Sequence, residues 1–170
     1  MILLSVLCEM SKTKFLVKFI NMIDQKIFEP RNFHGVKGLV FVGEKMLVYR
    51  RDNNTSDFPL YIDLPGGGKE NNETPFETFE REVKEEFGIE IKQNDITYAK
   101  QYMSVMDITK ESYFIVVKPV NIKEGDIIFG DEGLEFFFIK PEEYLKLSDG
   151  IGRQQAKVAE YIEWVKNKKL

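Results

Sequence analysis

Cysteine is nearly missing from this chain of 170 residues: Cys8 is the single one. No internal disulfide can form, and zinc-type cysteine spacing is absent. Histidine is equally scarce. His34 stands alone, which excludes a histidine triad or histidine metal cluster within one chain, and it reads as a surface or turn residue. Ser104 and Ser112 have no base partner near them in sequence, so nucleophilic serine chemistry has no support. A basic excess is also lacking. The formal net charge of −4 has the wrong sign for non-specific nucleic-acid binding, which needs a positive field. It does not exclude a nucleotide whose phosphates are screened by cations. Long apolar runs are missing as well. The opening Met1 to Cys8 is short, has no basic start, is interrupted by Glu9 and carries Leu7 where a lipoprotein site wants a small residue. Neither export nor membrane insertion is expected, and the cytoplasm is the simplest compartment.

What remains is ordinary for one globular domain: 43% hydrophobic and 31% charged residues on a chain long enough for a real core. The informative stretch runs from Gly67 to Ile89. Its first half is a glycine loop, and its second half predicts a helix. Thr74 is a good N-cap, Pro75 suits the first helical position, Glu77 completes a capping box and Gly88 is a natural left-handed stop. At about 100° per residue, Phe76, Phe79, Val83 and Phe87 share one arc, the expected buried face. Glu82, Glu85 and Glu86 fall together on its flank, at i, i+3 and i+4. Like charges at that spacing repel, and Glu85 and Glu86 sit in the last turn, where the helix dipole disfavours anions. A bound divalent cation reverses the sign of each of these terms, and clustered carboxylates are what hard cations such as Mg²⁺ take.

The pattern Gly67, Glu73, Arg81-Glu82-Val83, Glu85-Glu86, Gly88-Ile89 resembles the Nudix box of the MutT-like hydrolases, with no fixed position missing. The resemblance implies an α/β/α sandwich with a mixed β-sheet, a central catalytic helix and a C-terminal helix. It implies Mg²⁺, with Mn²⁺ as substitute, and cleavage of a pyrophosphate bond in a nucleoside diphosphate linked to another moiety. Glu82, Glu85 and Glu86 are then metal ligands, joined by the carbonyl of Gly66. A further acid from a later loop serves as ligand or base; Asp131, Glu132 and Glu135 are the candidates, and Glu132 before Gly133 fits best. Gly67, Glu73, Arg81 and Gly88 support the site. Gly is usual in the family where Asn72 stands, a mild departure, because Asn also tolerates the left-handed conformation. A non-catalytic nucleotide sensor on the same fold is the alternative. Some relatives that cleave ADP-ribose carry a proline shortly after the box, and some that cleave diadenosine polyphosphates a tyrosine slightly further on. Tyr102 to Met106 holds no such proline, and Asp107 and Ile108 stand where that tyrosine would be, so nucleoside triphosphates and nucleotide sugars stay open.

The rest of the chain predicts strands over Val36 to Val42, Met46 to Arg50, Tyr61 to Leu64, Glu90 to Lys92, Thr97 to Val105, Ser112 to Val120 and Leu134 to Ile139. A short helix opens at Pro141, and a last helix spans Arg153 to Lys168 with Val158, Tyr161, Ile162 and Val165 as its apolar stripe. Trp164 beside that stripe is expected in the core, with exposure at a dimer seam as the alternative. Arg50 and Arg51 are candidates for substrate phosphates, against plain strand-end charges. Tyr102, Met103 and Met106 are placed to stack on a base, with strand packing as the default. Residues 33–170 form the hydrolase domain. Residues 1–32 are an extension that packs on it or on a partner subunit, as in a homodimer.

Overall fold

The structure is a computed structural model that describes residues 23–118 and 122–168. The expected packing of residues 1–32 on a partner therefore lies outside the described residues, apart from 23–32. Those last residues form a 3₁₀ turn, Gln25–Phe28, that buries Ile27 completely and sets Phe28 5.8 Å from Phe76.

The elements run β1 (Phe33–Val42), β2 (Lys45–Arg50), β3 (Ile62–Asp63), α1 (Pro75–Phe87), β4 (Ile96–Met103), β5 (Glu111–Val117), β6 (Glu135–Ile139), α2 (Pro141–Tyr144) and α3 (Gly152–Lys168). Six strands form one mixed sheet in the order β3-β2-β1-β5-β4, with β6 paired to β2. β1 and β5 are parallel, with Val36 opposite Tyr113 and Leu39 opposite Val116, and the other pairs are antiparallel.

Strand periodicity explains the layers. Along β5, Tyr113, Ile115 and Val117 join a cluster with Phe76, Phe79, Val83 and Phe87 of α1. Phe114 and Val116 join a second cluster with Val158, Tyr161 and Ile162 of α3. The sheet is thus covered on both faces, and the near-continuous apolar β5 is what burial on both faces requires. Trp164 packs at the edge of the second cluster, 5.1 Å from Tyr98.

α1 has the ends that its sequence predicts. Thr74 accepts the Glu77 N–H while Glu77 accepts the Thr74 N–H, and Gly88 closes the helix at φ 68°. One predicted strand is not found. Glu90 to Lys92 is irregular and has no partner strand among the described residues. It alternates because Ile89 and Ile91 pack under α1, which produces a strand-like pattern on an irregular segment.

Candidate active site

A cavity of ≈ 670 Å³ opens between the acidic flank of α1, the glycine loop, the end of β4 and the first turns of α3. The loop is held along β1 by backbone bonds. Gly38 donates to the Pro65 carbonyl at 3.0 Å, Val36 to Gly67 at 2.9 Å, and Lys69 to His34 at 3.1 Å. The Gly68 carbonyl accepts from Arg81 Nη2 at 2.9 Å. The Gly66 carbonyl has no hydrogen bond among the described residues. Gly66 sits at φ 115°, and a Cβ there would stand 2.4 Å from the Val36 carbonyl oxygen, so only glycine fits.

Glu82, Glu85 and Glu86 all reach the cavity, on a shared flank of α1. They differ in environment. Glu86 is 6% exposed and accepts the Gly66 N–H at 2.9 Å. Burial pushes its carboxyl up to about 7, against the lowering effect of Lys37 and that N–H. Burial also raises Glu82, which Arg81 offsets in part. Glu85 stays largely in solvent.

Arg81 ties the acids together. Its Nη1 lies 2.9 Å from Glu82 Oε1 and 3.1 Å from Glu85 Oε2, while its Nε and Nη2 bond Glu73 at 2.7 and 3.2 Å. Glu73 also accepts the Glu70 N–H and the Thr78 hydroxyl. Burial alone would raise the Glu73 carboxyl, but the bonds from Arg81 and these donors outweigh it and hold the group below its usual range. Glu73 and Arg81 thus clamp the loop onto the helix.

The remaining expected residues divide. Glu132 lines the cavity, whereas Asp131 and Glu135 do not. Glu135 instead pairs with Arg50 Nε at 2.9 Å. Arg50 further bonds the Leu60 carbonyl at 2.7 Å and Asp149 at 2.9 Å, which makes it a link between β2, β6 and the loop before α3. Arg51 does line the cavity. Tyr102, Met103 and Met106 line it too, and Met103, the last residue of β4, is 72% exposed.

Sequence reasoning missed Lys37 and Asp63. Asp63 is 1% exposed and pairs with Lys37 Nζ at 3.1 Å and Arg51 Nη1 at 3.0 Å. Lys37 also donates to the Leu64 carbonyl at 2.9 Å. The available signal was a lysine breaking the apolar run of β1. It also missed the α3 wall, formed by Arg153, Gln154, Lys157 and Glu160.

As the side chains stand, no three acidic, histidine or cysteine groups among the described residues converge tightly enough to grip a metal ion. Glu82 and Glu85 are instead both paired with Arg81 Nη1, at 2.9 and 3.1 Å. The donor chemistry nevertheless fits a hard divalent cation. The donors are all oxygens, the Gly66 carbonyl has no competing bond, and Gly67 is bare where a Cβ would meet the Glu82 carboxylate at 2.4 Å.

No match is found among curated proteins. Solved structures of the same fold include a MutT protein from Methanosarcina mazei Go1, 23% identical, TM-score 0.64, covering 81% of this chain and 97% of that one. A C. elegans Ap4A hydrolase in a binary complex is 14% identical, TM-score 0.59, covering 78% and 98%. The E. coli dihydroneopterin triphosphate pyrophosphohydrolase is 13% identical, TM-score 0.56, covering 77% and 97%. The NUDIX domain family matches residues 33–164, a span that holds the whole sheet, the clamped glycine loop and the acidic flank of α1. On that match, the chain belongs to the Nudix family of pyrophosphohydrolases.

Proposed function

We propose that this protein is a Mg²⁺-dependent hydrolase that cleaves a pyrophosphate bond in a nucleoside diphosphate linked to another moiety, of the nucleoside triphosphate or nucleotide-sugar type. One observation carries the reading: three carboxylates of α1 line one cavity with Gly66, whose carbonyl has no hydrogen bond among the described residues. The names of two neighbours, an Ap4A hydrolase and a triphosphate pyrophosphohydrolase, support a substrate with a phosphate chain.

Glu82, Glu85, Glu86 and the Gly66 carbonyl would hold the cation, with Glu132 as a further ligand or base; Mn²⁺ is the expected substitute. A bound divalent cation would neutralise phosphate oxygens and acidify water. The other tasks fall to the chain. Arg81 and Glu73 hold the acids against the loop. Lys37 keeps positive charge close to Glu86 while anchoring Asp63. Arg51, oriented by Asp63, presents a guanidinium to substrate phosphates. Attack of water at phosphorus releases a proton, and in this reading Glu132, which lines the cavity and makes no hydrogen bond to another described residue, would accept it. Met103 and Met106 offer an apolar wall to a base. The cytoplasm, where a chain with a single cysteine needs no disulfide, is the proposed place of action.

The test is a panel of nucleotides with Mg²⁺, products identified by mass, comparing the native protein with Glu86→Gln. Turnover is expected to fall at least about 10²-fold in the variant. Equal rates would remove the acid cluster from the chemistry. Mn²⁺ at about 100 times its Kd should also add about 2.7 kcal/mol of stability to the native protein by mass action.

A further inference from the structure

The cavity has a second charged wall, which the acids of α1 leave unexplained. Residues 153, 154, 156, 157 and 160 line it; these are positions i, i+1, i+3, i+4 and i+7 of α3, one helical face. Arg153 and Lys157 stand at i and i+4, where like charges repel. Arg153 is also in the first turn, where the helix dipole disfavours a cation, and no acidic residue sits there to offset it.

Neither cation has an ionic partner within bonding distance among the described residues. Arg153 lies 5.0 Å from the Phe58 ring centre, and Lys157 Nζ lies 5.1 Å from that of Tyr102 and 6.0 Å from that of Phe114. The nearby carboxylates are committed elsewhere. Glu160 takes Lys100 and the hydroxyls of Tyr98 and Tyr102, and Asp63 takes Lys37 and Arg51. Burial, then the charge of Arg153, pushes the Lys157 ammonium down to about 8, against the raising effect of Asp63. Between the two cations in sequence, Gln154 is 3% exposed, and its amide Oε1 has no hydrogen-bond partner. A buried acceptor left open on a cavity wall calls for a donor.

We infer that Arg153 and Lys157 form an anion subsite for a phosphoryl group of the substrate remote from the bond that is attacked, with Gln154 Oε1 accepting an O–H or N–H from the adjoining moiety. An arginine fork beside a lysine point charge is suited to a phosphoryl group, and a cavity of ≈ 670 Å³ is in the size range of ligand sites. The inference rests on α1 being the end that takes the scissile phosphates. It narrows the substrate to one that carries negative charge toward both walls.

Inorganic pyrophosphate titrated into the full chain in EDTA tests this by calorimetry, because the acids of α1 repel an anion when no metal is present. The native protein should bind it. Lys157→Met, which keeps the apolar stem over Tyr102, and Arg153→Gln should each weaken binding at least tenfold, with Arg153→Lys retaining part of it. No binding by the native protein, or equal affinity in Lys157→Met and Arg153→Gln, overturns the subsite. Circular dichroism melting of each variant separates loss of the site from loss of the fold. Mn²⁺ titration separates this inference from the reading of α1. Lys157→Met should bind Mn²⁺ like the native protein, whereas a native protein that binds pyrophosphate without binding Mn²⁺ sinks the α1 reading alone.

Discussion

Gly67 faces the Glu82 carboxylate with no room between them: a Cβ on Gly67 would stand 2.4 Å from Oε1 and 2.6 Å from Oε2. The obstacle is the end of a flexible side chain, so the fold can yield where the site cannot. Gly67→Ala is therefore expected to swing Glu82 aside while leaving the melting temperature within a few degrees of native. A misplacement of about 1 Å costs on the order of 10²-fold in rate, and that is the expected fall in kcat/KM. Gly66 is the contrast. Its Cβ would meet the Val36 carbonyl oxygen at 2.4 Å from a backbone at φ 115°, so Gly66→Ala should lose stability as well as activity. Thermal melts beside steady-state kinetics tell the two apart, and a fully active Gly67→Ala would disprove the crowding argument.

Arg81 binds two half-buried acids, one exposed acid and a loop carbonyl through a single guanidinium. Lysine supplies the charge without the fork. Arg81→Lys should cost about 1.5–3 kcal/mol, the range for hydrogen bonds to charged groups, nearly all of it from Glu73, Glu82 and the Gly68 carbonyl. The exposed Glu85 contributes little, because solvent screens it. Urea unfolding at constant m-value measures this, and an unchanged midpoint would mean that the clamp is dispensable.

The ends of α1 and its three acids were legible because every signal is local: a cap, a proline, a glycine stop and an i, i+3, i+4 spacing. The partners of the charges were not. Lys37 meets Asp63, and Arg50 meets Asp149, across chain separations that no local pattern encodes. Arg50 and Arg51 look alike in sequence and diverge in space: Arg50, the last residue of β2, is taken by Glu135 and Asp149, whereas Arg51, one residue beyond the strand, is taken by Asp63 and lines the cavity. The Glu90 to Lys92 pattern misled for a related reason. One-sided packing of an irregular segment alternates as a paired strand does, and only a neighbour distinguishes them.

Arg31, just before β1, forks onto Glu111 at the start of β5 at 2.9 and 3.2 Å, with Tyr113 and Gln101 as further donors. The Arg31 bonds, against a smaller opposing effect of burial, hold the Glu111 carboxyl below its usual range. A depressed carboxylate binds fewer protons in the folded state. Its contribution is therefore complete above the unfolded value of about 4.3 and is lost as pH falls through the lower folded value. Melting temperature should decline below about pH 4.3, and Arg31→Gln should flatten part of that acid limb while lowering stability near neutrality. An acid limb of unchanged slope in the variant would show that this pair does not couple to folding.

Asp131, Glu132 and Glu135 are the acids beyond the box expected to supply the extra ligand or base, and their surroundings separate them. Glu135 is committed to Arg50 at 2.9 Å, so Glu135→Gln should loosen the β2–β6 edge and leave the chemistry alone. Asp131 is off the cavity wall, whereas Glu132 is on it and makes no hydrogen bond to another described residue. A group that takes a proton in the rate-determining step contributes about 10²–10⁴-fold. Glu132→Gln should therefore lower kcat by about that factor with substrate affinity largely kept, while Asp131→Asn should remain near native. The alkaline or acid limb of the kcat profile carries the further distinction: loss of a base removes the acid limb of the rate, whereas loss of a ligand alone shifts the metal concentration needed for half-maximal activity. Native kcat in Glu132→Gln together with a large loss in Asp131→Asn would move the role one residue back along the loop.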